Sequence, residues 1–341
     1  MKTILRALAI LSALALLLFV PDGKILSDVQ NAYYIGEPPA YAAAVCPYGA
    51  VLALGAALAL LAHALLYVRG EKKSLRALLP EITAFSARAL WLSVVLSRLI
   101  YCLVNWSFYE GPAGFAGALR WWEGGMSMTG VLLGALGAAY WTYQGKDQGY
   151  EAAALALPLM IFLARCAEHF AAIGVGLDVE FGGIFAVEGE FGSTLNISLI
   201  EALSILLIAA AMLLWKNKDR LCPRGPRYLM AMVIFYGAVQ ILMESLRWDR
   251  HMIWGFVKAQ QLFSFLLALG CLMALAWRCG RRVAVLCASA ALAGAVFGLE
   301  KALDRLDIPS IYIYLVFIAL IAAYVGFAFA VARRNEKRLR Q

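Results

Sequence analysis

The stretch CPYGAVLALGAALALLAHALLY, residues 46–67, decides the fold class, because its 22 residues include no Asp, Glu, Lys or Arg. About 20 apolar residues are enough for a helix to cross a bilayer core about 30 Å thick. Nine similar runs lie along the chain, at about 4–20, 83–104, 126–143, 152–170, 197–215, 228–246, 256–276, 282–299 and 310–332. The sequence therefore predicts an all-α polytopic membrane protein with about ten transmembrane helices.

The composition supports this prediction and excludes an ordinary soluble protein. The chain has 341 residues, of which 63% are hydrophobic and 15% are charged, and its mean hydropathy is +0.76. Soluble domains average about 45–50% apolar and about 25% charged residues. The net charge of +8 does not indicate a nucleic-acid partner, because the basic residues fall in short loops between the apolar runs.

The distribution of basic residues also predicts the orientation. Alternate loops, together with both termini, carry 20 of the 30 Lys and Arg residues, and the positive-inside rule places that side in the cytoplasm. Both termini are therefore expected to be cytoplasmic. The first run also resembles a secretory signal peptide. Val20-Pro21-Asp22 is a poor cleavage site, however, so we favour a retained anchor helix.

Several predicted spans contain ionisable residues, which cost a few kcal/mol each within a membrane and usually face the bundle interior. Arg165, Glu168 and His169 are spaced i, i+3 and i+4, so they share one helix face. A second stripe at helical spacing consists of Tyr236, Gln240, Glu244 and Arg247, and further polar residues in other spans are Arg98, Glu201, Lys258, Gln260 and Gln261. We expect most of them to converge in the outer half of the membrane. The alternative is structural, with Glu168 neutralising Arg165 and other arginines reaching the headgroups.

The fourth run begins WWEGGMSMTGVLLGALGAAYW, residues 121–141. Gly130 and Gly134 form a GxxxG pattern, which usually permits close helix packing. Gly124 and Gly125 interrupt the helix entry and leave backbone N–H groups that suit an anion. The sequence shows no metal-ligand spacing, Walker loop or Ser/His/Asp constellation, and its seven cysteines contain no CxxC pair. We therefore expect free thiols and no cofactor.

Six tracts together resemble the bacterial prolipoprotein diacylglyceryl transferase family. The family sequence WEGGMSFHGG is similar to Trp122–Val131, and its arginine in GRIGNFINGE corresponds to Arg165. The other matching tracts are Pro47-Tyr48-Gly49, Ser97–Asn105 around Arg98, Asn196–Glu201, and Tyr236–Arg247, which is similar to YGLFRFIVEFVR. The tracts occur in the family's order over roughly residues 46–276.

The resemblance implies a fold and a reaction. The family core has seven spans, which correspond to the second to eighth runs here. Its enzymes move a diacylglyceryl group from phosphatidylglycerol to a lipobox cysteine thiol and release glycerol phosphate. The implied partners are phosphatidylglycerol or another anionic phospholipid and a lipobox-bearing preprolipoprotein, and the implied location is the bacterial cytoplasmic membrane.

The chain departs from the family pattern at four positions. The family histidine in GGMSFHGG is Thr129, the asparagine after the signature arginine is Glu168, a glutamate is Ile173, and the second arginine is Gln240. Our candidate catalytic residues are Arg165 as phosphate clamp, His169 as a relocated base, Glu168 and Glu244. Candidate substrate-binding residues are Tyr48, Arg98, Gly124, Gly125, Ser127, Thr129, Glu201, Tyr236, Gln240 and Arg247.

The resulting prediction has three segments: an N-terminal anchor helix with an outer loop at 1–45, a transferase-like core at 46–276, and two extra helices with a basic tail at 277–341. The function predicted is diacylglyceryl transfer to a lipobox thiol or a related acceptor. A catalytically degenerate lipid-binding protein of the same fold is the alternative. A transporter is a weaker alternative, because the chain shows no inverted repeat.

Overall fold

The structure is a computed structural model that describes residues 2–21, 31–32, 34–36, 45–170, 175–189, 192–247, 252–254, 257–277, 279–305 and 310–341. Within these residues the chain forms twelve α-helices and two small sheets. The helices are α1 (Lys2–Leu17), α2 (Pro47–Glu71), α3 (Leu75–Val104), α4 (Trp106–Glu110), α5 (Gly114–Ala118), α6 (Met128–Thr142), α7 (Asp147–Phe170), α8 (Ile197–Lys218), α9 (Pro226–Leu246), α10 (Ala259–Trp277), α11 (Arg282–Arg305) and α12 (Ser310–Leu339).

The described helices confirm an all-α polytopic membrane protein. Eight of them, α2, α3 and α7–α12, are long and apolar enough to cross a membrane. The first and fourth predicted spans also form helices, α1 and α6, but these have only 16 and 15 residues. At 1.5 Å per residue, both are shorter than the roughly 20 residues that a full crossing requires.

The helices alternate in direction, so the bundle has two distinct ends. One end carries the basic connections at 72–74, 143–146 and 219–225 and the basic C-terminal residues, and we call it the basic end. The other end carries the segment 105–127 and a three-stranded antiparallel sheet, and we call it the sheet end. The sheet has strand order β1-β3-β2, formed by β1 (Val175–Val179), β2 (Ala186–Gly189) and β3 (Gly192–Asn196).

The sheet lies within the acidic segment 171–196, between α7 and α8. Both of its strand pairs are antiparallel, and β3 leads directly into α8 at Ile197. A second, two-stranded sheet, β4 (Ile253–Trp254) and β5 (Val257–Lys258), precedes α10. The sheet end is therefore ordered by strand pairing where the helices stop.

Close helix packing is most extensive between α3 and α6, and glycine is the reason. A Cβ atom added to Gly130 would lie 2.2 Å from the backbone nitrogen of Ser97, and one added to Gly134 would lie 2.4 Å from that of Ser93. The predicted GxxxG packing is thus confirmed. It draws α6 and the turn before it against α3.

Helix α1 is attached to the bundle at both of its ends. Near the basic end Arg6 donates to the carbonyl of Pro80 at 2.7 Å. At the sheet end the Cys46 thiol donates to the carbonyl of Val20 at 2.7 Å and accepts from the amide of Gly49 at 3.4 Å. Gly49 has no side chain, which leaves room for the carbonyls of Leu17 and Leu18.

Helices α11 and α12 pack on α9 and α10. Near the sheet end Gln261 of α10 donates to Glu300 of α11 at 2.9 Å. Near the basic end Arg227 pairs with Glu336 at 3.1 Å. All seven cysteines are free thiols, as predicted.

Candidate functional site

Arg165 of α7 lies at the centre of a buried group of charged side chains near the sheet end, and 4% of the residue is exposed. Its Nη1 pairs with Oε1 of Glu168 on the next turn, and its Nε lies 2.8 Å from Oε1 of Glu201 on α8. Both glutamates are buried, and Glu201 is completely so. A guanidinium inside a membrane bundle needs such partners because an unpaired buried charge is strongly destabilising.

Arg247, the residue that follows α9, contacts the same two carboxylates. Its Nη2 lies 3.1 Å from Oε2 of Glu168 and 3.0 Å from Oε2 of Glu201. Its Nε lies 3.7 Å from Oε1 of Glu244. Each of the two bridging carboxylates therefore presents one oxygen to Arg165 and the other to Arg247. We call these five residues the ionic network.

Two hydroxyl groups hold the bridging carboxylates in place. Ser198 donates to Oε2 of Glu168 at 2.9 Å. Tyr236 donates to Oε1 of Glu201 at 2.6 Å. Ser198 and Tyr236 are themselves buried, so these hydrogen bonds form in a medium of low dielectric where they are strong. Helices α7, α8 and α9 thus meet at one polar centre.

The third carboxylate, Glu244, lies at the edge of the network. Gln240, one turn before it on α9, donates its amide to Oε1 of Glu244 at 3.1 Å. Lys258 at the start of α10 donates to the carbonyls of Glu244 and Arg247, at 2.6 and 2.8 Å. Tyr48 of α2 has its phenol group near Glu168 and both arginines of the network.

The network is close to electrically neutral. Its three glutamates oppose its two arginines, and the ammonium group of Lys258 lies at its border. The sequence predicted a cationic clamp at this place. The structure has the two arginines, and carboxylates from this chain are paired with both of them.

Arg98 occupies a separate position on α3, where the hydrogen bonds of its side chain go to backbone carbonyls. Its Nε donates to the carbonyl of Ala118 at 2.9 Å. The four remaining hydrogen bonds go to the carbonyls of Gly117 at 2.8 Å, Arg120 at 3.1 Å, Gly125 at 3.2 Å and Gly124. Five N–H donors are all that a guanidinium has. Arg98 therefore acts as the scaffold of the segment 117–125.

Gly124 and Gly125 form the turn that Arg98 holds, and the left-handed backbone there explains the two glycines. Their φ angles are 88° and 85°, a region that residues with a Cβ rarely adopt. A Cβ on Gly125 would also lie 2.1 Å from the ring of Tyr101. We call residues 117–125 with Arg98 the arginine-held turn.

Ser127 joins this turn to the helices around it. Its amide donates to the carbonyl of Ser97 at 3.2 Å, and its carbonyl accepts from the Ser97 hydroxyl at 2.8 Å. Its own hydroxyl donates to Oε1 of Gln260 on α10 at 2.9 Å. Thr129 is buried two residues later, and its hydroxyl has no hydrogen-bond partner among the described residues.

The structure brings most of the predicted site residues together, and their predicted roles remain predictions. Arg165, Glu168, Glu201, Glu244 and Arg247 form the network, and Tyr48, Tyr236 and Gln240 border it. Arg98, Gly124, Gly125, Ser127 and Thr129 lie in or beside the arginine-held turn.

The predicted base, His169, has its backbone in α7, but its side chain lies outside the described residues, as does all of His251. His63, the third histidine, lies far down α2 toward the basic end, where the Tyr143 hydroxyl is 3.0 Å from its Nε2 and its ring stacks on Phe85.

Sequence reasoning did not select Ser198 as a site residue. Ser198 and Glu201 are three residues apart on α8, so they share a helix face, and this spacing was the available signal. The contact of Cys46 with the end of α1 joins segments 26 residues apart, so no spacing within a single helix could have predicted it. Among the described residues, no group of three His, Cys, Asp or Glu side chains is placed to hold a metal ion.

A comparison with protein-family models matches residues 41–277, more than two thirds of the chain, to the family described as prolipoprotein diacylglyceryl transferase. The matched segment contains the whole ionic network and the whole arginine-held turn, and it excludes α1, α11 and α12. A search of curated proteins finds no match to the chain.

Proposed function

The chain belongs to the prolipoprotein diacylglyceryl transferase family, and from this premise we propose that it transfers a diacylglyceryl group from phosphatidylglycerol to a lipobox cysteine thiol. We place it in the bacterial cytoplasmic membrane with both termini in the cytoplasm. The concentration of Lys and Arg at the basic end supports this orientation. The ionic network then lies in the outer half of the membrane.

One observation carries the proposal: Arg165 and Arg247 come from different helices and bind opposite oxygens of the same carboxylate, Glu168. This geometry presents N–H donors to an oxyanion from two sides. A phosphate group offers more oxygens than a carboxylate and is bound well by arginine forks. The Glu168 carboxylate therefore stands where we expect the phosphate of the lipid donor to bind.

Glu168 is then displaced when the phosphate binds. The displaced carboxylate loses its two positive partners and becomes a better proton acceptor beside the phosphate. It takes the proton of the acceptor thiol, and the thiolate sulfur attacks the carbon of the diacylglycerol unit that is bonded to the phosphate oxygen. A C–S bond forms, the C–O bond to phosphate breaks, and glycerol phosphate leaves with the electron pair.

The other network residues have supporting roles in this proposal. Glu201 and Tyr236 hold Arg165, and Glu244 with Gln240 holds Arg247. Tyr48 closes the network from α2. The arginine-held turn covers the bound donor. Gly124 and Gly125 of the turn, and Ser127 and Thr129 just after it, face the donor headgroup, and Arg98 fixes the backbone. His169 remains our second candidate for the base.

We also propose that the chain has three functional segments. Residues 46–276 carry the transferase, residues 1–45 provide an anchor helix and an outer loop, and residues 277–341 add two membrane helices with a basic tail. The contacts of α1 with α2 and α3, and of α12 with α9 and α10, support additions that pack against the transferase core.

The test is mass spectrometry of a lipobox peptide incubated with purified protein and phosphatidylglycerol. Wild type is expected to add a diacylglyceryl mass to the cysteine. Arg165→Ala is expected to lower the rate by about 10²–10³-fold, as for loss of one preorganised donor to a developing oxyanion. Glu168→Gln is expected to lower the rate by about 10²–10⁴-fold while phosphatidylglycerol binding is kept or tightened, because the competing negative charge is gone.

Glu151→Gln is the matched control. Glu151 is also a buried glutamate paired with a cation, Lys216 at 2.6 Å, but it lies near the basic end. Its substitution is expected to leave transfer unchanged. Wild-type activity in Glu168→Gln, with unchanged lipid binding, would refute the exchange of Glu168 for phosphate.

The alternative is a lipid-binding protein without transfer activity, and one observation favours it: carboxylates of the chain itself already form ion pairs with both arginines of the network. The same assay separates the two functions. Wild-type protein that binds phosphatidylglycerol and never modifies the peptide, or any other thiol acceptor offered, would establish the alternative.

A further inference from the structure

A polar cleft of about 480 Å³ opens at the basic end of the bundle, between the start of α7, the end of α8 and the connection 219–225. We propose that this cleft binds the headgroup of a phospholipid that carries two negative charges. Glu201 of the ionic network and Lys218 at the cleft are 17 residues apart on α8, which is about 25 Å of helix. The cleft is therefore distinct from the network, and the inference does not depend on the proposed transfer reaction.

Two of the carboxylates that line the cleft are already neutralised by the chain itself. Glu151 pairs through one oxygen with Lys216 at 2.6 Å, and its other oxygen accepts from the amide of Gly225 at 3.2 Å. Asp219 pairs with Arg333 at 2.9 Å. These contacts tie α7, α8 and α12 to the connection, so both carboxylates belong to the walls of the cleft.

The other charges of the cleft leave an excess of positive charge. Lys218, Arg220 and Arg224 line it and are exposed, and they form no ion pair within the part of the chain that the structure describes. The remaining carboxylate of the lining, Asp147, has no cation partner there either. Three cations against one carboxylate leave two positive charges, and neighbouring like charges repel one another. A ligand with two negative charges balances this excess.

The connection 219–225 is held in one shape by its own hydrogen bonds. The carboxylate of Asp219 accepts from the amide of Leu221 at 2.8 Å, and its carbonyl accepts from the amide of Cys222 at 3.0 Å. Gly225 ends the connection with a φ angle of 58°, which residues with a Cβ rarely adopt. A backbone that is already fixed loses little entropy when the basic side chains it carries bind an anion.

The outward face of α8 indicates that the anion belongs to a lipid. Leu207, Leu214 and Lys218 are separated by seven and four residues, so they share one face of the helix. Both leucines are exposed, with 71% and 54% of the residue accessible, and in a membrane this face contacts acyl chains. A phospholipid with its chains along this face has its headgroup at the cleft. Basic pockets between helices at the cytoplasmic side commonly bind acidic lipids in this way.

The experiment measures lipid binding to the purified full chain by native mass spectrometry, with cardiolipin, which carries two phosphates, and phosphatidylcholine as probes. Cardiolipin is expected to bind more tightly than phosphatidylcholine. Lys218→Gln, Arg220→Gln and Arg224→Gln are each expected to weaken cardiolipin binding about five-fold, the contribution of one basic residue near an anionic surface. Asp147→Asn is expected to tighten it by a similar factor, because the substitution removes a negative charge from the cleft.

Arg69→Gln, Arg76→Gln and Arg334→Gln are the matched controls, because these exposed arginines lie at the basic end and do not line the cleft. They are expected to leave cardiolipin binding unchanged. Inorganic pyrophosphate carries the phosphates without the acyl chains, so it separates a lipid from a soluble anion. It is expected to displace cardiolipin only at far higher concentration, since it gains nothing from the apolar face of α8.

Two results would overturn the proposal. One is cardiolipin binding that the cleft variants and the control variants weaken equally, since the attraction would then belong to any basic loop. The other is pyrophosphate that binds as tightly as cardiolipin, which would make the occupant a soluble diphosphate. Failure of the proposed function reads differently: the lipobox peptide stays unmodified in the transfer assay, while cardiolipin binding still follows the cleft variants.

Discussion

The ionic network and the arginine-held turn both bury arginine near the sheet end, yet the arginines have different partners. Arg98 gives all five of its N–H donors to backbone carbonyls of the segment 117–125. Arg165 and Arg247 give theirs to carboxylates of Glu168 and Glu201. Backbone carbonyls cannot leave, whereas a carboxylate on a side chain can rotate away and be replaced by another anion. Under the proposed function, Arg98 is therefore structural, whereas Arg165 and Arg247 bind the ligand.

The largest expected effect is that of Arg98→Ala. It leaves five carbonyls near membrane depth without their partner, and each buried group left unsatisfied costs about 1–3 kcal/mol. The total is comparable with the whole stability of a typical domain, about 5–15 kcal/mol. We expect loss of the folded turn, read out as exposure of the buried thiol of Cys102 to a maleimide in detergent.

Arg88→Ala is the control for that substitution, since Arg88 is an exposed arginine of the same helix that donates to Trp141 and Thr142. It should leave Cys102 protected. If Cys102 stays protected in the Arg98→Ala protein, the turn is stable without Arg98. The proposed difference between Arg98 and the arginines of the ionic network would then be wrong.

The next effect concerns coupling within the network. Arg165→Ala alone is expected to cost about 3–5 kcal/mol in the free energy of unfolding, because it leaves buried carboxylates without their cation. Arg165→Met combined with Glu168→Met removes charges of both signs and is expected to recover much of that loss. A double-mutant cycle on thermal unfolding in detergent measures the coupling. If the losses in the free energy of unfolding simply add, Arg165 and Glu168 are not coupled, and the ion pair between them is not the exchangeable contact described above.

The smallest expected change in stability tests the close contact of α6 with α3, which positions the arginine-held turn. Gly130→Ala places a methyl group 2.2 Å from the backbone nitrogen of Ser97, which should separate α6 from α3 and cost about 1–3 kcal/mol by overpacking. Gly137→Ala is the control on the same helix, because its methyl group would meet ordinary contacts at 3.7 Å. Equal melting temperatures for the two variants would mean that α6 shifts freely and that the turn does not depend on this contact.

The sequence was sufficient for the fold class, and it anticipated that charged residues of several helices lie close together. Apolar runs of membrane length and the i, i+3 and i+4 spacing of Arg165 with Glu168, and of Gln240 with Glu244, are properties of single helices. They can be recognised without knowing how the helices pack. The glycine pattern at 130 and 134 likewise anticipated a close helix contact, because it depends only on the absence of side chains.

The partners of each charge could not be predicted from the sequence. Glu168 contacts Arg247, which lies 79 positions further along the chain. Arg98 donates to a segment that begins about 20 residues after it. Such contacts depend on how the helices rotate and approach, and on the path of an irregular loop. The sequence therefore grouped Arg98 with the other arginines as a binding residue. In the structure its hydrogen bonds go to the backbone of this loop, and its role in binding remains a prediction.

The short length of α6 has a consequence for the surrounding lipid. Its 15 residues span about 22 Å, some 8 Å less than a bilayer core of about 30 Å. The segment 105–127, which contains the short helices α4 and α5, precedes α6, and the apolar side chains Trp106, Phe115 and Leu119 of this segment are exposed. Hydrophobic mismatch of this kind thins a bilayer locally. Under the proposed function, such thinning would bring the headgroup plane nearer to the buried charges and shorten the path of the donor lipid to them.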